Sequence, residues 1–204
     1  MFSVTDSLRF MKTRGFNIAR FYECKNLKEL NLAFDRLNKP VVLKINSEKF
    51  SHKSDVKGVV LNINSKNELV EEFKRLIKLG EGVVIQEQVK GVELIIGLQY
   101  DDSFGPIIML GAGGVFVELL KDVSFRACPI NLDDAEEMIE ELKTKKLLEG
   151  FRGADKVNKA VVKKLLVKLS QIADKERIKT LDLNPIIFDK SNYYVVDARM
   201  ETLE

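Results

Sequence analysis

Residues 178–200, IKTLDLNPIIFDKSNYYVVDARM, read as two strands joined by a turn. The apolar runs IKTLDLNPIIF (178–188) and NYYVVDARM (192–200) flank Asp-Lys-Ser, which suits a turn. If the hairpin pairs about Lys190 and Ser191, opposed residues carry numbers that sum to about 381, and Asn184 and Asp197 meet that sum. Cross-strand neighbours lie about 4.5–5.5 Å apart at Cβ. That is near enough for one hard cation such as Mg²⁺, which takes oxygen ligands and keeps waters. An Asx-turn at Asn184-Pro185 and an ordinary edge aspartate explain the same residues without any ligand.

Working outward, the apolar period alternates between about 3.6 and 2, the mark of mixed α and β structure. Asn26-x-x-Glu29 opens a helical pattern with Leu27, Leu30, Ala33 and Leu37 on one face. Pro40 precedes a compact strand, VVLKI (41–45), suited to burial on both faces, and GVVLNI (58–63) is a second strand beyond a polar loop. Ser65-x-x-Glu68 caps a helix that buries Leu69, Val70, Phe73, Leu76 and Ile77. Strands follow at 82–89, 92–100, 106–114 and 123–130, with helices at 132–142 and 156–175. Interleaving at first and hairpins later favour an α+β fold in two lobes over a doubly wound sheet.

Composition narrows the function. Thirty-three Lys and Arg against 31 Asp and Glu leave a net charge of +2, which gives no bulk electrostatic reason for a nucleic-acid or membrane partner. Two cysteines without a C-x-x-C and a single histidine remove redox motifs, zinc ribbons and His-rich metal sites. The longest uncharged run, Ser103 to Val117, falls short of the roughly 18 residues a membrane span needs. Asp6, Arg9, Lys12 and Arg14 occupy the place of a signal peptide's apolar segment, so a cytoplasmic protein is expected.

A few residues could carry chemistry. Lys44 sits inside an apolar strand, where an ammonium needs an anion or a route to the strand edge. Either a glutamate partner or a phosphate in a cleft would satisfy it. Glu87 and Glu93 flank the break at Lys90-Gly91. Gly111, Gly113 and Gly114 would let backbone N–H groups approach a phosphate, or would simply make a tight turn, and neither a dinucleotide fingerprint nor a Walker A loop is present. His52 lies in Ser51-His52-Lys53-Ser54-Asp55. A neutral imidazole there is a competent nucleophile, Lys53 would attract a phosphoryl group and Asp55 could orient the ring.

These segments together resemble a known family. The stretches PVVLKINSEKFSHKSDVKGVVL, VIQEQVKGVELIIGLQYDDSFGPIIMLGAGGVFVELLKDVSFRACPI, LLEGFRG, LDLNPIIF and VVDARM are similar to the β subunits of archaeal ADP-forming acetyl-CoA synthetases. Those are the ATP-grasp subunits of the NDP-forming acyl-CoA synthetases. The resemblance spans about residues 8 to 200, in the expected order. It implies an ATP-grasp fold of two α+β lobes with mixed and antiparallel sheets, one lobe at 18–89 and the other at 1–17 with 90–204, holding MgATP or MgADP.

Carried over position by position, the resemblance makes Lys44 the phosphate-binding lysine and Asn184 and Asp197 the Mg²⁺ ligands. Glu87 and Val89 fall where the hinge meets adenine and ribose, and Glu93 falls at an acidic active-site position. His52 matches a proposed phosphoryl-carrying histidine, with Lys53 beside it. Gly113, Gly114 and Arg126 match the glycine loop and the strand beyond it. The implied reaction is acyl-CoA + ADP + phosphate ⇌ acid + CoA + ATP. An α subunit carrying the CoA-binding and acyl-phosphate chemistry is then required, and the chain alone is inactive. Adenine and guanine nucleotides both remain open, and the alternative is a non-catalytic nucleotide-binding or regulatory module on the same fold. This chain departs from the family pattern at Lys57, at Glu48 after Ser47, and in reading LGAGG.

Overall fold

The computed structural model describes residues 2–46, 56–113, 122–150 and 156–203. They form two compact units, residues 19–89 and residues 1–18 with 90–204.

The smaller unit is built on a four-stranded sheet. Its elements are β1 (Phe21–Cys24), α1 (Leu27–Arg36), β2 (Val41–Asn46), β3 (Val59–Ile63), α2 (Lys66–Leu76) and β4 (Gly82–Glu87), and the strand order is β1-β4-β2-β3. Each ladder is antiparallel. Both helices start as their sequences dictate. The Asn26 side chain accepts from Glu29 N at 3.0 Å, and Ser65 Oγ accepts from Glu68 N at 3.3 Å, so each cap satisfies a donor that has no partner within its helix. Leu27 does not join the buried stripe of α1 and stays exposed, while Leu30, Ala33 and Phe34 face inward.

Alternation along β2 and β4 sends Val41, Leu43, Ile45, Val83 and Ile85 into one core with Leu30, Phe34, Leu69, Phe73 and Leu76 from the two helices. The opposite face of the same strands carries Val42, Lys44, Val84 and Gln86. These are buried too, so β2 reads as a continuous apolar run interrupted by one lysine.

The larger unit opens with a helix, α3 (Val4–Thr13), that the sequence reading passed over. Ser3 caps it by accepting from Asp6 N, and Val4, Leu8 and Met11 are buried along its inner stripe. Its sheet comprises β5 (Val92–Asp101), β6 (Gly105–Ala112), β7 (Val123–Ala127), β8 (Ile178–Phe188), β9 (Tyr193–Val195) and β10 (Arg199–Thr202). The order is β10-β8-β5-β6-β7, with β9 also paired to β8. The sheet's ladders are antiparallel, and Ile18–Val195 adds an isolated parallel bridge.

Helices α4 (Leu132–Glu141) and α5 (Lys159–Lys175) pack against this sheet, with a 3₁₀ turn at Lys145–Glu149 between them. Leu94, Ile96, Leu98, Ile108, Leu110, Leu181 and Leu183 form the buried row of the sheet. Alternation places Glu93, Gly97, Met109, Gly113, Asp182 and Asn184 on the other face. Among the described residues, no helix is long and apolar enough to cross a membrane.

Candidate functional site

The register of the closing hairpin is the one its turn demands. Asp189 Oδ1 accepts from Ser191 N at 2.9 Å and from Asn192 N at 2.6 Å, which tightens the turn. From there Phe188 pairs with Tyr193, Ile187 with Tyr194 and Ile186 with Val195, each pair of numbers summing to 381. The ladder then breaks. It resumes at Arg199 opposite Asp182 and Met200 opposite Leu181, with the same sum. The sequence reading expected one strand over 192–200, and the structure instead shows two short ones separated at Val196–Ala198.

That gap faces Asn184-Pro185. Pro185 has no N–H to give to a ladder. On the other side of β8, the pairing with β5 shifts between Leu94 and Ile96, so that two residues of β8 stand opposite Ile95 alone. Such a bulge re-aims the side chains it carries. Asn184 and Asp197 therefore occupy opposed positions at a place where β8 is unladdered on one flank and bulged on the other. Asn184 is exposed and Asp197 half-buried, with Asp197 Oδ1 also accepting from Ala198 N at 3.0 Å. An amide oxygen and a carboxylate are hard donors that suit Mg²⁺. Among the described residues no three His, Cys, Asp or Glu side chains group as a metal site.

Glu93 and Gly113 are brought together on the same sheet face. Gly113 N donates to Glu93 O at 2.8 Å, continuing the β5–β6 ladder one step past Ala112. A Cβ on Gly113 would stand 2.5 Å from Glu93 Cβ and 2.7 Å from its carbonyl, so only glycine fits this approach. Arg126, grouped with Gly113 by the resemblance, faces the other way. It pairs with Ile108 and so points to the helix-covered face, where its guanidinium takes Glu141 at 2.6 Å and Glu137 at 3.2 Å from α4. Ser124 Oγ hydrogen-bonds the same Glu141. Arg126 is thus an anchor between β7 and α4, and Arg126 and Ser124 together hold the Glu141 carboxyl down at about 2.

In the smaller unit, Lys44 lies in mid-strand at 7% exposure. Its Nζ donates to Gln86 Oε1 at 2.8 Å. Gln86 is itself 1% exposed, and its Nε2 reaches Ala19 O at 3.5 Å. Sequence reasoning misses Gln86, which opens a polar run, Gln86-Glu87-Gln88, at the end of the strand read at 82–89.

Glu87 follows on the opposite side. Its carboxylate accepts from Asn38 N at 3.0 Å and lies 3.4 Å from the Arg20 guanidinium, while its own N–H donates to Arg20 O. The side chain therefore braces the entry to β2 and points away from Lys44. Val89 is half-buried just beyond the end of β4. His52, Lys53 and Gly114 lie outside the described residues.

Comparison with known proteins gives this geometry a family. The ATP-grasp domain family matches residues 2–202. The β subunit of acetate–CoA ligase (ADP-forming) I from Pyrococcus furiosus is 37% identical over 206 residues, covering 96% of this chain and 89% of that one. This chain belongs to the ATP-grasp subunits of the ADP-forming acetyl-CoA synthetases.

Acetate–CoA ligase (ADP-forming) II from Archaeoglobus fulgidus is 41% identical over 198 residues and 96% of this chain, yet the chain spans only 29% of that protein's length. Among solved structures, dinucleotide forming acetyl-coenzyme A synthetase 1 from Ca. Korarchaeum cryptofilum superposes with a TM-score of 0.93 at 39% identity, over 99% of this chain and 93% of that one. That structure holds coenzyme A and Ca-AMPCP. Another of the same protein holds coenzyme A and Mg-AMPPCP, with its phosphohistidine segment pointing towards the nucleotide-binding site.

Proposed function

We propose that this chain is the nucleotide-binding, phosphoryl-transferring β subunit of an ADP-forming acetyl- or acyl-CoA synthetase. It would act with an α subunit that binds CoA and forms the acyl phosphate. The net reaction is acyl-CoA + ADP + phosphate ⇌ acid + CoA + ATP. What carries this reading in the structure is a single observation. A lysine ammonium lies buried in the middle of a strand, where it donates to the Gln86 amide oxygen at 2.8 Å.

Lys44 binds the nucleotide's phosphates. Val89, with the backbone of Glu87, lines the base and ribose. Glu93, Gly113 and Gly114 lie at the reacting phosphates. Asn184 and Asp197 hold the divalent cation, and their mixed donor set fits one that keeps phosphate and water ligands. When bound, that cation screens the charge on the phosphates. His52 accepts the phosphoryl group from the α subunit's histidine and passes it on, its P–N bond breaking as a P–O bond forms to the terminal oxygen of ADP. Lys53 draws the phosphoryl group towards it. Phosphoryl transfer asks mainly for position and positive charge, which this set supplies.

Thermal unfolding of the full chain, with and without MgADP, tests the reading. Ligand at about 100 times Kd stabilises by about 2.7 kcal/mol, which raises the midpoint of a chain this size by about 5–10 °C. The shift should need Mg²⁺ and should vanish in Lys44→Ala. A Lys44→Ala chain with an undiminished shift would remove the phosphate-binding role. Nucleotide binding without ATP formation in any mixture with α subunits, acetyl-CoA and phosphate would leave a regulatory module instead.

A further inference from the structure

The polar run that ends β4 is tied to a different segment at each residue. Gln86 reaches Ala19 O, and the Glu87 carboxylate accepts from Asn38 N. Gln88 is held by its backbone and by both ends of its amide. Its N–H donates to Pro40 O at 3.1 Å, its Oε1 accepts from Asn62 N at 2.7 Å, and its Nε2 donates to Asn62 Oδ1 at 3.0 Å. Chemistry fixes both amides. The Asn62 N–H only donates, so the Gln88 oxygen must face it, and the Gln88 NH₂ then takes the Asn62 oxygen.

Strand β3 gives up regular pairing where it meets Gln88. Val41 pairs with Ile63 and Leu43 with Val60, so Leu61 and Asn62 together stand opposite Val42. Such a two-against-one bulge re-aims the groups it carries. Asn62 takes a φ of 62°, a left-handed conformation that asparagine adopts more readily than most residues, and Asn64 Nδ2 donates to its carbonyl at 2.8 Å. The bulge delivers the Asn62 N–H and side chain to Gln88, which stitches the end of β4 to the entry of β2 and to β3. Val89 comes next, and among the described residues its own N–H and carbonyl have no hydrogen-bond partner.

Resting on the reading of Glu87 and Val89 as the base and ribose site, we propose that Gln88 is the positioning residue for the nucleotide base. It acts through the backbone, by fixing the peptide groups on either side of it, while its own amide is engaged by Asn62. The edge of a base is a set row of donors and acceptors, and peptide groups match it only when they are held in one place. Holding them before the ligand arrives removes an ordering cost from binding. A pair that merely braced three strands would matter for stability and would not distinguish one ligand from another.

The test compares affinities of the full chain for MgADP and for magnesium pyrophosphate, which carries a diphosphate without base or ribose. Asn62 is exposed and Gln88 half-buried, so variants at either place should fold. Gln88→Met keeps the length and loses both amide hydrogen bonds. It should weaken MgADP about three- to tenfold and leave pyrophosphate affinity within about twofold. Asn62→Gly keeps the left-handed backbone and its N–H but removes the Oδ1 acceptor, so it should also weaken MgADP. In the Gln88→Met background it should cost nothing further, because the two residues act as one pair. Gln88→Glu should restore most of the affinity, since the Asn62 amide can rotate and donate Nδ2 to the carboxylate.

Gln88→Met weakening both ligands alike, or neither, would overturn the role of Gln88, and so would losses that simply add when Asn62→Gly is combined with it. A wild-type chain that binds MgADP no more tightly than magnesium pyrophosphate would instead remove the base-and-ribose reading of Glu87 and Val89, and the role of Gln88 with it.

Discussion

The two sheets treat their polar residues in opposite ways. In the smaller unit Lys44 and Gln86 sit within intact ladders, buried, tied to each other and to the Ala19 backbone. In the larger unit Asn184 and Asp197 sit where the ladders fail, one exposed and one half-buried. A residue that must present one fixed charge gains from burial, because low dielectric strengthens its attraction for a phosphate and its hydrogen bond fixes its place. Residues that must share a cation with water and phosphate need the opposite, an opening in the sheet with room for other ligands. On the proposed roles, the contrast is between a phosphate site set by the regularity of β2 and β4 and a cation site set by the irregularity of β8.

The sharpest way to break that contrast is at Asp197. If it holds the divalent cation, Asp197→Asn should reduce turnover with the partner subunit about 10²–10³-fold. Because it sits outside the ladders, the ligand-free melting midpoint should stay within about 2 °C of wild type. An Asp197→Asn enzyme of normal turnover across a Mg²⁺ titration would remove it from the metal site. Gly113→Ala tests the other half of the comparison, whether the larger unit's Glu93 face still depends on tight backbone. The new Cβ would meet Glu93 at 2.5 Å, so denaturant unfolding should show a loss of about 1–3 kcal/mol. An unchanged midpoint would mean the β5–β6 edge yields without cost.

Some of this was legible in the chain and some was not, for reasons that differ residue by residue. The hairpin at 178–200 could be registered because its turn is short and its flanks are long and apolar, so a single count placed Asn184 opposite Asp197. The break at Val196–Ala198 could not be read, since Val196 and Ala198 are as buried as strand residues and only the resumed pairing on the far side reveals the gap. Helix α3 and strand β1 escaped for want of pattern. The stripe of α3 is short, and Cys24 is the one fully buried residue of β1.

The resemblance groups Arg126 with the glycine loop at Gly113 and Gly114. Period-2 alternation says that Phe125 and Arg126 face opposite ways, but it does not say which face the helices cover. Gln86 was passed over because a polar residue near a strand end usually faces solvent, and nothing local announces that both faces of β4 are dry.

The smallest expected effect separates the two units by their response to acid. Among the described residues, the carboxyls held below their ordinary values are Asp6, Asp122, Glu140, Glu141 and Glu176 in the larger unit and Glu29 in the smaller. Burial alone would push Asp122 up, but the Thr144 hydroxyl and the Lys143 and Thr144 N–H groups outweigh it. Lys145 and Lys159 hold Glu140 at about 2, as Arg126 and Ser124 do Glu141.

A carboxyl whose folded value is depressed adds stability that is complete above its unfolded value and is lost as pH falls through the folded one. The larger unit should therefore lose amide protection first as the pH drops from about 4.5 towards about 2. Glu140 and Glu141 are exposed, so their share is small and should shrink further in high salt. The buried Asp122 share should persist there and should be removed by Asp122→Asn. Hydrogen exchange across that range, in low and high salt, would contradict this picture if amides of β2 and β4 opened before those of β5 and β8.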